Sequence, residues 1–132
     1  MKIFLLIFFI TFTHSAFAAK LTNRECNEVA SIVNQSSSNM HLDSITILKN
    51  ASCSSQAHLR YNYSVDTDFS KSEFKDAIPT LKNPNMTTWC THPDLKPLLV
   101  LLDSVEFSYS KPNGEYLGAY GFNERSCRGY EN

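Results

Sequence analysis

Four cysteines, Cys26, Cys53, Cys90 and Cys127, are spread through a chain of only 132 residues. They constrain its fold more than any other feature, once the compartment in which it folds is known. Residues 1–18, MKIFLLIFFITFTHSAFA, address that. Lys2 is a short basic start, Ile3–Phe12 is apolar apart from Thr11, and Ala16-Phe17-Ala18 is an A-x-A cleavage signal. The run is too short for a permanent transmembrane helix and has the three parts of a secretory signal peptide. The expectation is therefore a signal peptide over 1–18 and one domain over 19–132, periplasmic or secreted. In an oxidising compartment an even number of cysteines in so small a chain reads as a disulfide framework. Three pairings are possible, and the absence of any C-x-x-C argues against a zinc ribbon or a thioredoxin-type redox site.

Composition narrows the rest. Five of nine phenylalanines and Lys2 lie in the leader, so the expected mature domain carries 11 basic against 13 acidic side chains. That balance does not suit a nucleic-acid binder working by phosphate neutralisation. No later apolar run approaches membrane-spanning length; the longest is Leu98–Leu102.

Thr22-Asn23-Arg24-Glu25 is a capping box, and Cys26, Val29, Ala30 and Val33 follow at helical spacing, which predicts a helix from Thr22 to about Gln35. Leu42–Leu48 reads as a strand, Asn50–Ser55 as a turn. Leu59, Tyr61, Tyr63 and Val65 alternate with polar residues, the pattern of a strand with one buried face. Ser70 and Glu73 repeat the capping box, and Phe74, Ala77, Ile78 and Leu81 share a helical face, with an end made uncertain by Pro79 and a loop expected at 82–85. His92-Pro93-Asp94 starts a third helix with a leucine stripe over 95–102. Val105, Phe107 and Tyr109, the turn Lys111-Pro112-Asn113-Gly114, and Tyr116, Tyr120 and Phe122 form a hairpin. The order α-β-β-α-α-β-β predicts an α+β fold in which an antiparallel sheet of two hairpins is covered on one face by helices.

Catalytic signatures are missing from the sequence: it has no G-x-S-x-G, H-E-x-x-H or phosphate-binding glycine loop. His41 with Asp43, and His92 with Asp94, are conceivable i, i+2 dyads, but each lies at the edge of an element. The expectation is a protein that is not an enzyme and takes no cofactor or metal. Candidate partner-binding residues are Trp89, Leu98, Leu102 and Tyr109, with the strand tyrosines as a further candidate recognition face.

Cys90-Thr91-His92-Pro93-Asp94-Leu95-Lys96-Pro97-Leu98-Leu99 resembles the C-x-x-P-x-[VL]-K-x-[ML]-L segment of one class of type II secretion pilotins, small exported proteins that help the outer-membrane secretin reach its membrane. The resemblance runs on through Val105–Tyr109, the turn around Gly114, and Ser126-Cys127. It implies a Cys90–Cys127 disulfide, which leaves Cys26–Cys53 for the second bridge. It also implies an antiparallel sheet covered by helices, and protein binding in which a groove holds a C-terminal secretin helix. Pilotins of this class are acylated at a cysteine directly after the signal; here that position reads A-F-A-A-K and the nearest cysteine is Cys26. The alternative expectation is a secreted effector, antigen or inhibitor acting outside the cell.

Overall fold

The computed structural model describes residues 19–130; the expected signal peptide lies outside them. Their elements are α1 (Asn23–Ser37), β1 (Met40–His41), β2 (Thr46–Ser54), β3 (His58–Val65), α2 (Lys71–Thr91), α3 (Leu95–Leu101), β4 (Ser104–Ser110), β5 (Tyr116–Phe122) and a closing 3-10 helix, Glu124–Tyr130. Both capping boxes form: the hydroxyls of Thr22 and Ser70 accept from the backbone N–H of Glu25 and Glu73, whose carboxylates accept in return from the cap N–H groups.

The five strands make one sheet in chain order. β2–β3 and β4–β5 are the two antiparallel hairpins, and β1 adds a two-residue antiparallel edge. The pair that joins the hairpins, β3–β4, is parallel. The sheet is therefore mixed where a purely antiparallel one is expected from the sequence. The reason is the connection: α2 and α3 together carry the chain back across the sheet, and a crossover of that length delivers a parallel strand.

Two element boundaries also differ from expectation. β2 runs to Ser54 through the stretch that reads locally as a turn, because eight of its residues pair with β3 around a bulge at Lys49. α2 runs unbroken through Pro79 and Pro84 to Thr91, replacing the loop expected at 82–85. Each proline removes one helical N–H. Burial of Phe74, Trp89 and Cys90 along this helix, and hydroxyl bonds from Thr87 to Asn83 C=O and from Thr88 to Pro84 C=O, hold it through the defect.

The register sorts side chains into two faces. Cys53, Leu59, Val105 and Phe122 form one cross-strand row; Ala51, Tyr61, Phe107 and Tyr120 a second; Leu48, Tyr63, Tyr109 and Gly118 a third. All three face the helices and supply most of the core. The opposite face is polar and open: Arg60 pairs with Glu106 at 3.0 Å, and Asn62 Nδ2 donates to Asn50 Oδ1 at 2.7 Å. Disulfides Cys26–Cys53 and Cys90–Cys127 tie α1 to β2 and α2 to the closing 3-10 helix.

The exposed edge of β2 is sealed by side chains. Beyond β1, Ser38 Oγ donates to Lys49 C=O, and the Asn34 amide accepts from Ala51 N–H at 2.6 Å and donates to Ala51 C=O at 2.9 Å. One side chain here mimics the peptide group of a missing strand. Losing two such bonds at a half-buried site costs about 1–2 kcal/mol. Asn34→Ala is expected to lower unfolding free energy by that amount in urea titrations at unchanged m-value.

Candidate binding trough

α1 rests on β2 and α2 on β5, and among the described residues the two helices have no extensive packing with each other. The axes of β2 and β5 are three strand spacings apart, about 14 Å, whereas packed helices sit at about 8–10 Å. The difference leaves a trough over β3 and β4 that the sheet's own rings largely fill: Phe107 and Tyr109 are buried, Tyr61 and Tyr63 half-buried.

Aromatic rings pave it. Tyr61 stacks on Phe107 at 5.4 Å between centroids, and Tyr63 on Tyr109 at 5.0 Å. Parallel pairing places these residues side by side, so the stacking follows directly from the register. Trp89 reaches from α2 to set its edge on Tyr61, Phe107 and Phe122, closing one end of the trough. Phe74 covers the far side, packing on Tyr109 and against Gly118, where a Cβ would lie 3.1 Å from its ring. The other end opens toward Met40, which extends the Leu48–Tyr63–Tyr109 row by one strand and is 44% exposed.

Polar atoms are few and placed. Tyr120 Oη lies 3.4 Å from Leu81 C=O as donor, accepts from Asn85 Nδ2, and lies 3.1 Å from Tyr109 Oη. The hydroxyls of Tyr61 and Tyr63 have no hydrogen-bond partner among the described residues and stay available to a ligand at the half-buried centre of the floor. Burial raises Tyr61 to about 12 and also pushes Tyr63, Tyr109 and Tyr120 above the ordinary phenol value. At the open end the Asp43 carboxylate accepts from the N–H groups of Ile45 and Thr46, which holds its pKa below the usual carboxylate value. Its charge adds to the upward push on Tyr109, after burial and the Tyr120 hydrogen bond.

The sequence-derived candidates fall at different depths. Tyr109 is part of the floor, Trp89 is the end wall at 5% exposure, and Leu98 and Leu102 lie in the core beneath α3, with Leu102 fully enclosed. Two further apolar residues lie outside those candidates: Val33, which reads in the sequence as part of the apolar face of α1, is partly buried against the core, and Met40 is exposed on β1.

Of the candidate catalytic histidines, His41 lies on exposed β1, and His92 caps α2 with its Nδ1 accepting from Asp94 N–H. A different histidine comes nearer to a catalytic grouping: His58 Nδ1 hydrogen-bonds Ser104 Oγ, and its Nε2 is 3.1 Å from Asp103. An acyl-transfer site also needs donors beside the nucleophile. The backbone N–H groups of Asp103 and Ser104 are both directed to Ala57 C=O, so neither can serve.

No protein-family model matches this chain, and no characterised protein matches it in sequence. Its fold does match solved structures. A Pseudomonas aeruginosa protein assigned as secreted aligns with a TM-score of 0.65 at 15% identity, covering 83% of this chain and 99% of that one. The type 2 secretion system pilotin EpsS from Vibrio vulnificus aligns at 0.63 with 11% identity, and the type II secretion system pilotin AspS from Vibrio cholerae at 0.58 with 13%; each covers 80% of this chain and 91% of its own. The chain has a pilotin-like fold.

Because the folded state keeps these tyrosines protonated above their ordinary value of about 10, it binds more protons than the unfolded chain in alkali, and stability must fall as pH rises through that range. Melting temperature is expected to hold steady at mildly alkaline pH and to drop between about pH 10 and 12. Absorbance at 295 nm should show the tyrosinate signal of the floor residues appearing together with unfolding.

Proposed function

We propose that this chain is an exported, non-enzymatic binding protein whose residues 1–18 are removed as a signal peptide, and whose trough takes an amphipathic segment of a protein partner. The observation that carries the reading is the floor itself: stacked aromatic rings with two hydroxyls that have no partner among the described residues. A docking helix would lay one ridge of side chains into it, with aliphatic groups on the ring faces and a polar group at Tyr61 or Tyr63. Two disulfides in a domain of this size support export to an oxidising compartment. None of the described helices is long and apolar enough to cross a membrane.

The pilotin-like fold and the cysteine-framed segment from Cys90 to Leu99 favour a C-terminal segment of a secretin as the partner. Trp89 then closes one end of the site, Tyr109 belongs to its floor and Leu98 and Leu102 support it from the core, and the contact surface proper is Tyr61, Tyr63, Val33 and Met40. A second reading, action outside the cell, draws on the likeness to the Pseudomonas protein assigned as secreted; recovery of this protein from culture medium, with little in the periplasm, would favour it.

Fluorescence polarisation against labelled C-terminal secretin peptides tests the lead reading. Saturable binding is expected, weakened at least about tenfold by Tyr63→Glu, which puts a charge on the floor. Val33→Glu should act in the same direction, whereas Asn62→Asp on the opposite face should leave affinity unchanged. If no secretin peptide binds, the secretion role is lost.

A further inference from the structure

The two edges of the sheet are treated in opposite ways. β2 is sealed by β1, Ser38 and Asn34. β5 has no such cover among the described residues. The hydrogen bonds fix which of its groups point outward. Lys111 N–H donates to Glu115 C=O, so Lys111, and with it Tyr109, Phe107 and Val105, turn toward β5. Ser104 N–H turns the other way, to Ala57 C=O of the β3 side, in agreement. Gly118, Tyr120 and Phe122 therefore bond β4, while Ala119 and Gly121 direct their backbone groups away from the sheet. No partner is present for either among the described residues.

Exposed edge strands are ordinarily guarded by charges, prolines or bulges, and the bulge of β5, at Leu117, lies outside the Ala119–Gly121 stretch. Tyr116-Leu117-Gly118-Ala119-Tyr120-Gly121-Phe122 contains no charged residue and no proline, and Tyr116 is 51% exposed. An outward row of N–H and C=O groups is complemented by another extended backbone and by little else.

We infer that β5 is a self-association edge, pairing antiparallel with β5 of a second copy to give a continuous ten-stranded sheet. Charge chooses the occupant. Lys111 and Glu115, 3.4 Å apart, flank the start of β5, and Glu124 and Arg125 flank its end. Antiparallel self-pairing centred on Tyr120 sets Ala119 opposite Gly121 of the second copy and Gly121 opposite its Ala119, the two outward pairs. The same register brings Glu115 to the end carrying Arg125 of the second copy, and Lys111 to the end carrying its Glu124, opposite signs at both ends. Arg125 has no ion-pair partner within its own chain among the described residues. The register also places Tyr120 against its own copy at the two-fold axis, so the dimer closes and no further edge of this kind remains.

Sedimentation velocity of the mature protein across about 5–500 µM tests this, since a two-fold dimer must grow with concentration. A monomer–dimer equilibrium is expected. Ala119→Pro removes an outward N–H without touching a bond to β4, and should weaken the dimer at least about tenfold. Glu115→Arg and Arg125→Glu should each weaken it, and the double variant should restore it. Circular dichroism checks that each variant is folded; if Ala119→Pro is not, the charge-swap cycle decides. A monomer at every concentration, or a dimer indifferent to both Ala119→Pro and the charge swaps, overturns the proposal.

Discussion

The parallel register between β3 and β4 is the constraint on which the rest depends. It sets Leu59 beside Val105, Tyr61 beside Phe107 and Tyr63 beside Tyr109, so the middle of the sheet is a stack of apolar and aromatic pairs. Tyr61, Phe107 and Tyr120 then form an unbroken aromatic run across three strands. Because the pair is parallel, the chain must cross over between its members, and α2 and α3 are that crossover. Both lie over the same face as α1. The opposite face is left to water and carries polar pairs such as Arg60–Glu106 and Asn50–Asn62.

This arrangement also explains why a gap opens between the helices. Helices belong over β2 and β5, because Cys26 is bonded to Cys53 on the first and Asn85 and Leu81 engage Tyr120 on the second. Two strands lie between, and the gap exceeds ordinary helix packing distance. The protein fills one end with Trp89 and leaves the other open. Burial that withdraws these rings from water also pushes the phenols of Tyr61 and Tyr63 upward, and their hydroxyls have no hydrogen-bond partner among the described residues. The two disulfides stand at the margins, one under α1 and one at the end of α2, and restrain the helices that form the walls.

Local signals made much of this legible. The capping boxes at Thr22 and Ser70, the alternation from Leu59 to Val65 and the Asn113-Gly114 turn each rest on short-range chemistry, and each forms as read. Pro79 and Pro84 read as helix terminators but lie inside α2, because packing on β5 outweighs two missing N–H donors. Residues 50–54 read as a turn but pair as strand, because partners on β3 and the Asn34 amide satisfy a backbone that its own side chains do not favour. Of the trough, the strand tyrosines are legible in the sequence as a candidate face and Val33 as part of a helical apolar face, whereas Met40 carries no signal beyond hydrophobicity.

By itself the sequence determined the α+β class, the faces of the elements and the starts of the first two helices, since these follow from spacings of a few residues, and the presence of a bonded cysteine set, which follows from an even cysteine count behind an export-type leader. Tertiary structure alone decided that the hairpins join in parallel, that one edge is sealed while the other has no cover among the described residues, and that a gap opens between α1 and α2. Those outcomes depend on which distant residues become neighbours. That is set by how the crossover packs against the whole sheet, which no local spacing encodes.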